Sequence, residues 1–121
     1  DSSEQKQKAR ILRDRGIEVI EMPNAFGKVD LPKMFAYLAK EREMNEVHVE
    51  AGFKLNGSML REHCVDELLL YYAPFFMGEG IGMANVTPLS NLNLQKDWQM
   101  FEKQFLGDDL RLRLINTHSI V

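Results

Sequence analysis

The sequence is poor in the features that mark several classes of protein. It has one cysteine, Cys64, among 121 residues, which excludes an intrachain disulfide framework and a cysteine-rich zinc site. Its net charge of -3 gives no basic footprint, so neither a nucleic acid nor an anionic membrane is expected as a partner. No run approaches ~18 consecutive apolar residues, so no membrane span is expected. These absences predict a soluble, cytoplasmic chain.

What the chain does have is enough apolar material for a core. The hydrophobic share is 45%, which is ordinary for a globular protein. A length of 121 residues fits one domain at most, or a piece of one. The chain opens in a charged helical pattern with no strand before it. We therefore interpret residues 1–121 as the C-terminal portion of a single domain.

The first third of the chain predicts two helices with a short strand between them. Residues 3–15 suit a surface helix that ends at Gly16, since basic residues and then glycine are typical of a helix end. Residues 17–20 are β-branched and predict a strand. Asp30 is a good N-cap for a second helix. The apolar residues of that helix recur at helical spacing and predict one buried face: Leu31, Met34, Phe35 and Leu38.

The middle of the chain has the pattern of an anion-binding corner. Residues 45–50 predict a strand that ends in Glu50-Ala51-Gly52, and a helical run over residues 55–63 follows. The first backbone N–H groups of a helix have no intrahelical partner and carry the positive end of the helix dipole. A phosphate at that point would be satisfied, and the small residues would let it approach the backbone closely.

The last third predicts a central strand and a hairpin. Residues 67–76 are apolar on both faces, as expected for a strand covered on both sides. A loop with three glycines follows over residues 77–88. Residues 98–106 and 110–115 predict two strands joined at Gly107-Asp108-Asp109. The order strand, helix, strand, helix, strand predicts an α/β fold with parallel strands sandwiched between helices.

One set of residues forms a single pattern along the middle of the chain: Val49-Glu50-Ala51-Gly52, Leu55, Gly57, Val65-Asp66-Glu67-Leu68, Tyr71, Ala73-Pro74 and Gly78. Together these residues resemble the C-terminal reductase domain of the bifunctional riboflavin-biosynthesis deaminase/reductase, over about residues 16–115. That resemblance implies a three-layer α/β/α, dihydrofolate-reductase-like fold, with a mostly parallel sheet and a C-terminal antiparallel hairpin.

The resemblance also implies an enzyme activity. It predicts an NADPH-dependent reductase that converts the ribosyl side chain of 5-amino-6-(5-phosphoribosylamino)uracil to the ribityl product. It places Glu50 in the substrate site and implies a homodimer. The residues that it implies for NADPH binding are Gly52, Phe53, Lys54, Leu55, Asn56, Gly57 and Ser58, with Asn56 and Ser58 as side-chain donors to the pyrophosphate.

Two departures from the family pattern bear on this expectation. Ala51 stands where the family usually has a second glycine, which is tolerable if its φ stays negative. The zinc deaminase domain is absent, because no H-x-E with P-C-x-x-C occurs in the sequence. The family's substrate-phosphate arginines belong to an N-terminal half that is not expected in this chain, so the resemblance does not imply that these residues are active alone.

Simpler interpretations of the same residues stay open at this point. Glu50 could cap the following helix, Gly52 and Gly57 could be turn and packing glycines, and Lys54 could be solvated. Tyr71 and Tyr72 are expected in the core or on a sheet face. Two alternative functions remain: another dihydrofolate-reductase-like NADPH reductase, or a non-catalytic nucleotide-binding or oligomerisation fragment. The choice between NADPH and NADH also stays open.

Overall fold

The computed structural model describes residues 2–86 and 97–118. They fall into two compact units, Asp1–Glu43 and Met44–Val121. Across the described ranges, no helix has the length and apolar character needed to cross a bilayer. The elements in chain order are α1 (Ser2–Asp14), α2 (Leu31–Glu41), α3 (Phe53–Arg61), β1 (Glu67–Tyr72), β2 (Trp98–Leu106) and β3 (Asp109–Asn116). Helices together with a sheet agree with the predicted α/β class.

The first unit begins with α1, which ends as the sequence predicts. Gly16 has a φ of +76° and follows the last turn of the helix. Its N–H donates to the carbonyl of Arg13, and the N–H of Ile17 donates to the carbonyl of Leu12. This is a Schellman motif, in which the left-handed position strongly favours glycine.

Helix α2 begins at the predicted cap. The Asp30 carboxylate accepts a hydrogen bond of 3.0 Å from the N–H of Lys33, which satisfies one of the free donors of the first turn. Leu31 is buried, and the other three residues of the predicted apolar stripe are half-buried. The predicted apolar face of α2 is therefore confirmed.

The two strands predicted before the helices do not form. Residues 17–20 and 45–50 are neither helix nor strand, and the nearest pairing is an isolated bridge between Pro23 and Val29. A strand requires a neighbour with which to exchange backbone hydrogen bonds. No described residue supplies such a neighbour to either segment, so β-branched composition alone does not produce a strand.

The sheet of the second unit is antiparallel throughout its described part. Its strand order is β1-β3-β2, and both pairs run antiparallel. The predicted hairpin is confirmed, with Leu106 paired to Asp109 across a turn in which Gly107 has a φ of +63°. The expected parallel pairs do not occur within the described residues. β3 is the central strand there, whereas β1 was expected at the centre and lies at an edge.

The two faces of this sheet differ in chemistry. Leu68 and Leu70 of β1 lie on the same face as Leu110, Leu112 and Leu114 of β3, because directly paired residues point to the same side. The opposite face carries ion pairs. Arg113 donates to both carboxylate oxygens of Glu67, at 2.6 and 2.7 Å, and lies over the Phe101 ring.

Three side chains of β1 have positions that bear on their roles: Glu67, Tyr71 and Tyr72. The hydrogen bond to Glu67 raises the pKa of Arg113 above its usual value. Glu67 thus joins β1 to β3 through its side chain. Tyr71 and Tyr72 are 59% and 53% exposed. Of the two positions expected for them, the core or a sheet face, they occupy the sheet faces, at the edge strand β1.

Candidate functional site

The candidate site is the corner at which the chain enters α3, consisting of residues 50–52 and the first turn of the helix. Gly52 is the N-cap, with a φ of -93° and a ψ of 176°, and no side chain caps the helix. A Cβ built on Gly52 meets nothing within 4 Å. The space in front of the helix start is therefore open.

The backbone donors at this corner are unpaired. Within residues 2–86 and 97–118, no carbonyl or side chain accepts a hydrogen bond from the N–H groups of Gly52, Phe53, Lys54 or Leu55. These donors lie at the positive end of the helix dipole. An anion with several oxygen atoms, such as a phosphate group, is the ligand that such a set of donors would satisfy.

Asn56 holds the corner together from within the first turn of α3. Its backbone N–H donates to the carbonyl of Gly52 at 3.1 Å. Its side-chain nitrogen donates to the carbonyl of Ala51 at 3.1 Å and to the carbonyl of Met83 at 2.8 Å. The side chain therefore joins two stretches of backbone that are far apart in the sequence.

A second stretch of chain, the flanking segment (residues 82–86), lies along α3. The N–H of Asn85 donates to the carbonyl of Phe53 at 2.9 Å, and Arg61 donates to the carbonyl of Asn85. Gly57 is buried between these contacts, and a Cβ built on it would lie 2.2 Å from the Asn85 oxygen. Gly57 is thus required by close backbone packing, whereas Gly52 is not.

The charged residues at the corner are exposed. Glu50 has a side-chain exposure of 88%, and its carboxylate lies 3.5 Å from Nε2 of His48. Lys54 and Leu55 are also exposed. No N–H group of the first turn of α3 donates a hydrogen bond to the Glu50 carboxylate in the described structure, so Glu50 does not cap this helix through a hydrogen bond.

The structure divides the predicted cofactor residues into two groups. Gly52, Lys54 and Leu55 face open space at the start of α3, while Phe53, Asn56 and Ser58 are half-buried and Gly57 is fully buried. The side-chain donors of Asn56 are already engaged. The Ser58 oxygen accepts a hydrogen bond from Arg61 at 3.1 Å, which leaves its own hydrogen available.

The sequence analysis did not identify Arg61 and Asn85, which join α3 to the flanking segment. Arg61 lies one turn after Gly57, so the two share one side of α3, and the flanking segment packs on that side. The helical spacing of Gly57 and Arg61 was a usable signal for a packed face. Nothing local to Asn85 indicates its contact, because its contribution is backbone only.

Helix α3 ends at a residue with a left-handed backbone conformation. His63 has a φ of +53°, and its N–H and that of Cys64 donate to the carbonyls of Leu60 and Met59. His63 therefore closes a Schellman motif.

No group of histidine, cysteine or carboxylate side chains in the described ranges is arranged to hold a metal ion.

Comparison with known proteins assigns the chain to a family. The family model described as the RibD C-terminal domain matches residues 1–109. The chain belongs to the RibD C-terminal domain family. The match includes the whole corner, α3 and the flanking segment. The resemblance that the sequence suggests is therefore confirmed.

Curated relatives and solved structures agree with this assignment. The riboflavin biosynthesis protein RibD of Haemophilus influenzae is 35% identical over 88 residues, which are 72% of this chain and 24% of that protein. RibD of Escherichia coli K12 is 30% identical over 100 residues, 82% of this chain and 27% of that protein. A structure of Acinetobacter baumannii RibD superposes with a TM-score of 0.75 at 28% identity, covering 89% of this chain and 29% of that one.

A shorter relative carries a more specific name. The 5-amino-6-(5-phosphoribosylamino)uracil reductase of Buchnera aphidicola from Acyrthosiphon pisum is 35% identical over 51 residues, covering 42% of this chain and 24% of that protein. The chain thus spans about a quarter of the length of the relatives it matches. Its α/β fold is that of the RibD reductase domain.

Proposed function

We propose that this chain forms the cofactor corner of an NADPH-dependent reductase of riboflavin biosynthesis. The reaction is reduction of the ribosyl side chain of 5-amino-6-(5-phosphoribosylamino)uracil to the ribityl product. The observation that carries the proposal is the uncapped start of α3, where a row of unpaired N–H groups lies behind an open Gly52. Membership of the RibD C-terminal domain family supports a nicotinamide dinucleotide as the anion that this site would bind.

The residues at the corner fit a dinucleotide diphosphate. The N–H groups of Gly52, Phe53 and Lys54 donate to its oxygens, and the Lys54 ammonium is exposed beside them. Lys54 adds a positive charge without a fixed partner in the described residues. Ser58, one turn further along α3, retains a hydroxyl hydrogen that it can donate.

Glu50 is proposed to face the substrate. It is exposed at the end of the segment that leads into the corner, and its carboxylate accepts hydrogen bonds only. A sugar hydroxyl or a ring amino group supplies the matching donor. When bound, NADPH supplies a hydride to the sugar carbon of the ring-opened imine, and a solvent proton on nitrogen completes the reduction.

The test is a titration of the 121-residue chain with NADPH and, separately, with NADH. Heat of binding measures affinity directly, and fluorescence of Trp98, the only tryptophan, follows the same equilibrium. We expect saturable binding that favours NADPH. Adding the pyrimidine substrate and following the absorbance of the reduced nicotinamide then tests turnover.

Two results separate the possible failures. Binding of NADPH without turnover means that the corner is a cofactor site and that catalysis needs residues outside this chain. No binding to this chain or to a longer protein that contains it contradicts the proposal. That second result favours a non-catalytic interaction module.

Assembly and location stay predictions from the sequence. We expect the chain to form a homodimer and to be cytoplasmic. Sedimentation equilibrium over a range of concentrations measures the association directly. A monomer at all concentrations would contradict the expected dimer without affecting the proposal for the cofactor corner.

A further inference from the structure

Asn56 controls the direction of the peptide groups on both sides of Gly52. Its side chain holds the carbonyl of Ala51, and its backbone N–H holds the carbonyl of Gly52. In a planar trans peptide the C=O and the following N–H point in opposite directions. Because both carbonyls are drawn toward Asn56, the N–H groups of Gly52 and Phe53 are directed away from it.

We propose that Asn56 is a positioning residue that presents these N–H groups to the diphosphate and does not bind the nucleotide itself. Its side-chain nitrogen has two hydrogens, and these are matched by the carbonyls of Ala51 and Met83. The remaining side-chain oxygen is an acceptor and would repel a phosphate. This inference rests on the proposed function, and it departs from the expectation that Asn56 donates to the pyrophosphate.

The same side chain couples the corner to the flanking segment. Its bond to the Met83 carbonyl is 2.8 Å long, and the neighbouring Asn85 N–H is bound to the Phe53 carbonyl. Removing the Asn56 amide therefore releases a peptide at the site and loosens the segment beside it. Both changes precede nucleotide binding and are measurable in the free chain.

The test is Asn56→Asp in the 121-residue chain. The carboxylate has the size of the amide but cannot donate, and it would face two carbonyl oxygens. We expect NADPH affinity to fall roughly tenfold, the loss typical of misdirecting charge-assisted hydrogen bonds. In the free variant we expect a shifted Gly52 amide resonance and faster hydrogen exchange at the Asn85 N–H.

Two further variants keep the test decisive. Asn45→Asp makes the same chemical change at an exposed position away from the corner, and we expect it to bind NADPH like the parent chain. Asn56→Ala removes the donors without adding charge, so it replaces the Asp variant if circular dichroism shows that the Asp variant is unfolded. The Ala variant should reproduce the Gly52 and Asn85 changes.

Each outcome decides the matter. If the variants weaken NADPH binding but leave the Gly52 and Asn85 signals of the free chain unchanged, Asn56 is a direct ligand and the inference is wrong. Unchanged affinity in a variant, with normal binding by the parent, also overturns it while leaving the proposed function intact. If neither the parent chain nor a longer protein that contains it binds NADPH, this inference is overturned together with the proposed function, since the corner is then no nucleotide site. If only the longer protein binds NADPH, the same variants are compared in that protein.

Discussion

The first backbone N–H groups of α2 and of α3 have no partner within their own helix. The two helices differ in whether a side chain accepts a hydrogen bond from these groups. At α2, the Asp30 carboxylate accepts from the N–H of Lys33, and Pro32 has no N–H to satisfy. At α3, Gly52 has no side chain, and the first-turn N–H groups have no partner in the described residues. The start of α2 is therefore capped by a side chain, while the N–H groups at the start of α3 can donate hydrogen bonds to a ligand.

The presence of a side-chain cap at α2 and its absence at α3 indicate that the start of α2 contributes to stability, whereas the start of α3 is available for binding. A side-chain cap at a helix start contributes about 1 kcal/mol, and α3 has no such cap at the position that we propose as the phosphate site. Its stability must then come from elsewhere, namely the packing of the flanking segment on Gly57 and Arg61. Four substitutions test this comparison.

The largest effect on NADPH binding is expected from Gly52→Asp, which would cap α3 with a carboxylate as Asp30 caps α2. The carboxylate would lie at the proposed diphosphate site, so NADPH affinity should fall about a hundredfold. The same carboxylate caps the helix and complements its dipole, so stability should rise by about 0.5 kcal/mol. Calorimetric titration and urea unfolding measure the two changes.

Gly52→Ala is the matched control for that variant, because its Cβ has open space and the backbone φ of -93° suits any residue. It adds size without charge and should preserve most of the affinity. If Gly52→Asp bound NADPH as tightly as the parent, the open start of α3 would not be the phosphate site.

Gly57→Ala should have the next largest effect, on stability. The added Cβ would lie 2.2 Å from a backbone oxygen of Asn85, and backbone cannot move aside as a flexible side chain can. We expect a loss of about 2 kcal/mol in urea unfolding, even though alanine favours helices.

Gly80→Ala provides the comparison for Gly57→Ala, because a Cβ at Gly80 meets nothing within 4 Å. Its stability should stay within about 0.5 kcal/mol of the parent. Equal stability of the Gly57 variant and the parent would mean that the flanking segment does not pack on α3 in solution.

Asp30→Ala opens the start of α2. We expect a loss of about 1 kcal/mol in unfolding free energy and no change in NADPH affinity, because Asp30 caps a helix that has no proposed ligand. Asp30→Asn keeps the accepting oxygen and should remain close to the parent. A change in nucleotide affinity in either variant would show that the two helix starts are not functionally separate.

The smallest effect is expected from Lys54→Gln. Lys54 is exposed and has no ion-pair partner in the described ranges, so its attraction to a phosphate is screened by solvent. We expect about threefold weaker NADPH binding at low salt and a smaller difference at high salt. Lys28→Gln, also at an exposed position, should leave the titration unchanged at both salt concentrations.

The local features of this chain could be predicted because local chemistry decides them. Asp30, Gly16 and Gly107 each act through bonds or backbone angles within a few residues, and each has the role that its position in the sequence predicts. The family resemblance was also carried by local motifs around Glu50 and Gly52. A helix does follow residues 50–52 as predicted, although it spans Phe53–Arg61 rather than residues 55–63. The cofactor role of this corner stays a prediction.

Features that depend on distant partners were not predicted in the same way. Residues 17–20 and 45–50 have strand-forming composition, but no described segment pairs with them. The position of β1 at an edge depends on β3, which follows it by many residues. The engagement of Asn56 depends on Met83, so its assignment as a phosphate donor could not anticipate that its hydrogens were already used.

The sequence by itself determined the end of α1 at Gly16, the cap of α2 at Asp30, the hairpin turn and the family, because each is encoded in short-range contacts and in spacing along the chain. Only the tertiary structure decided that Gly52 is open while Gly57 is packed, and that Asn56 faces backbone. The physical reason is that the space around a glycine and the partner of an amide depend on whichever distant segment lies beside them. Here that segment is residues 82–86.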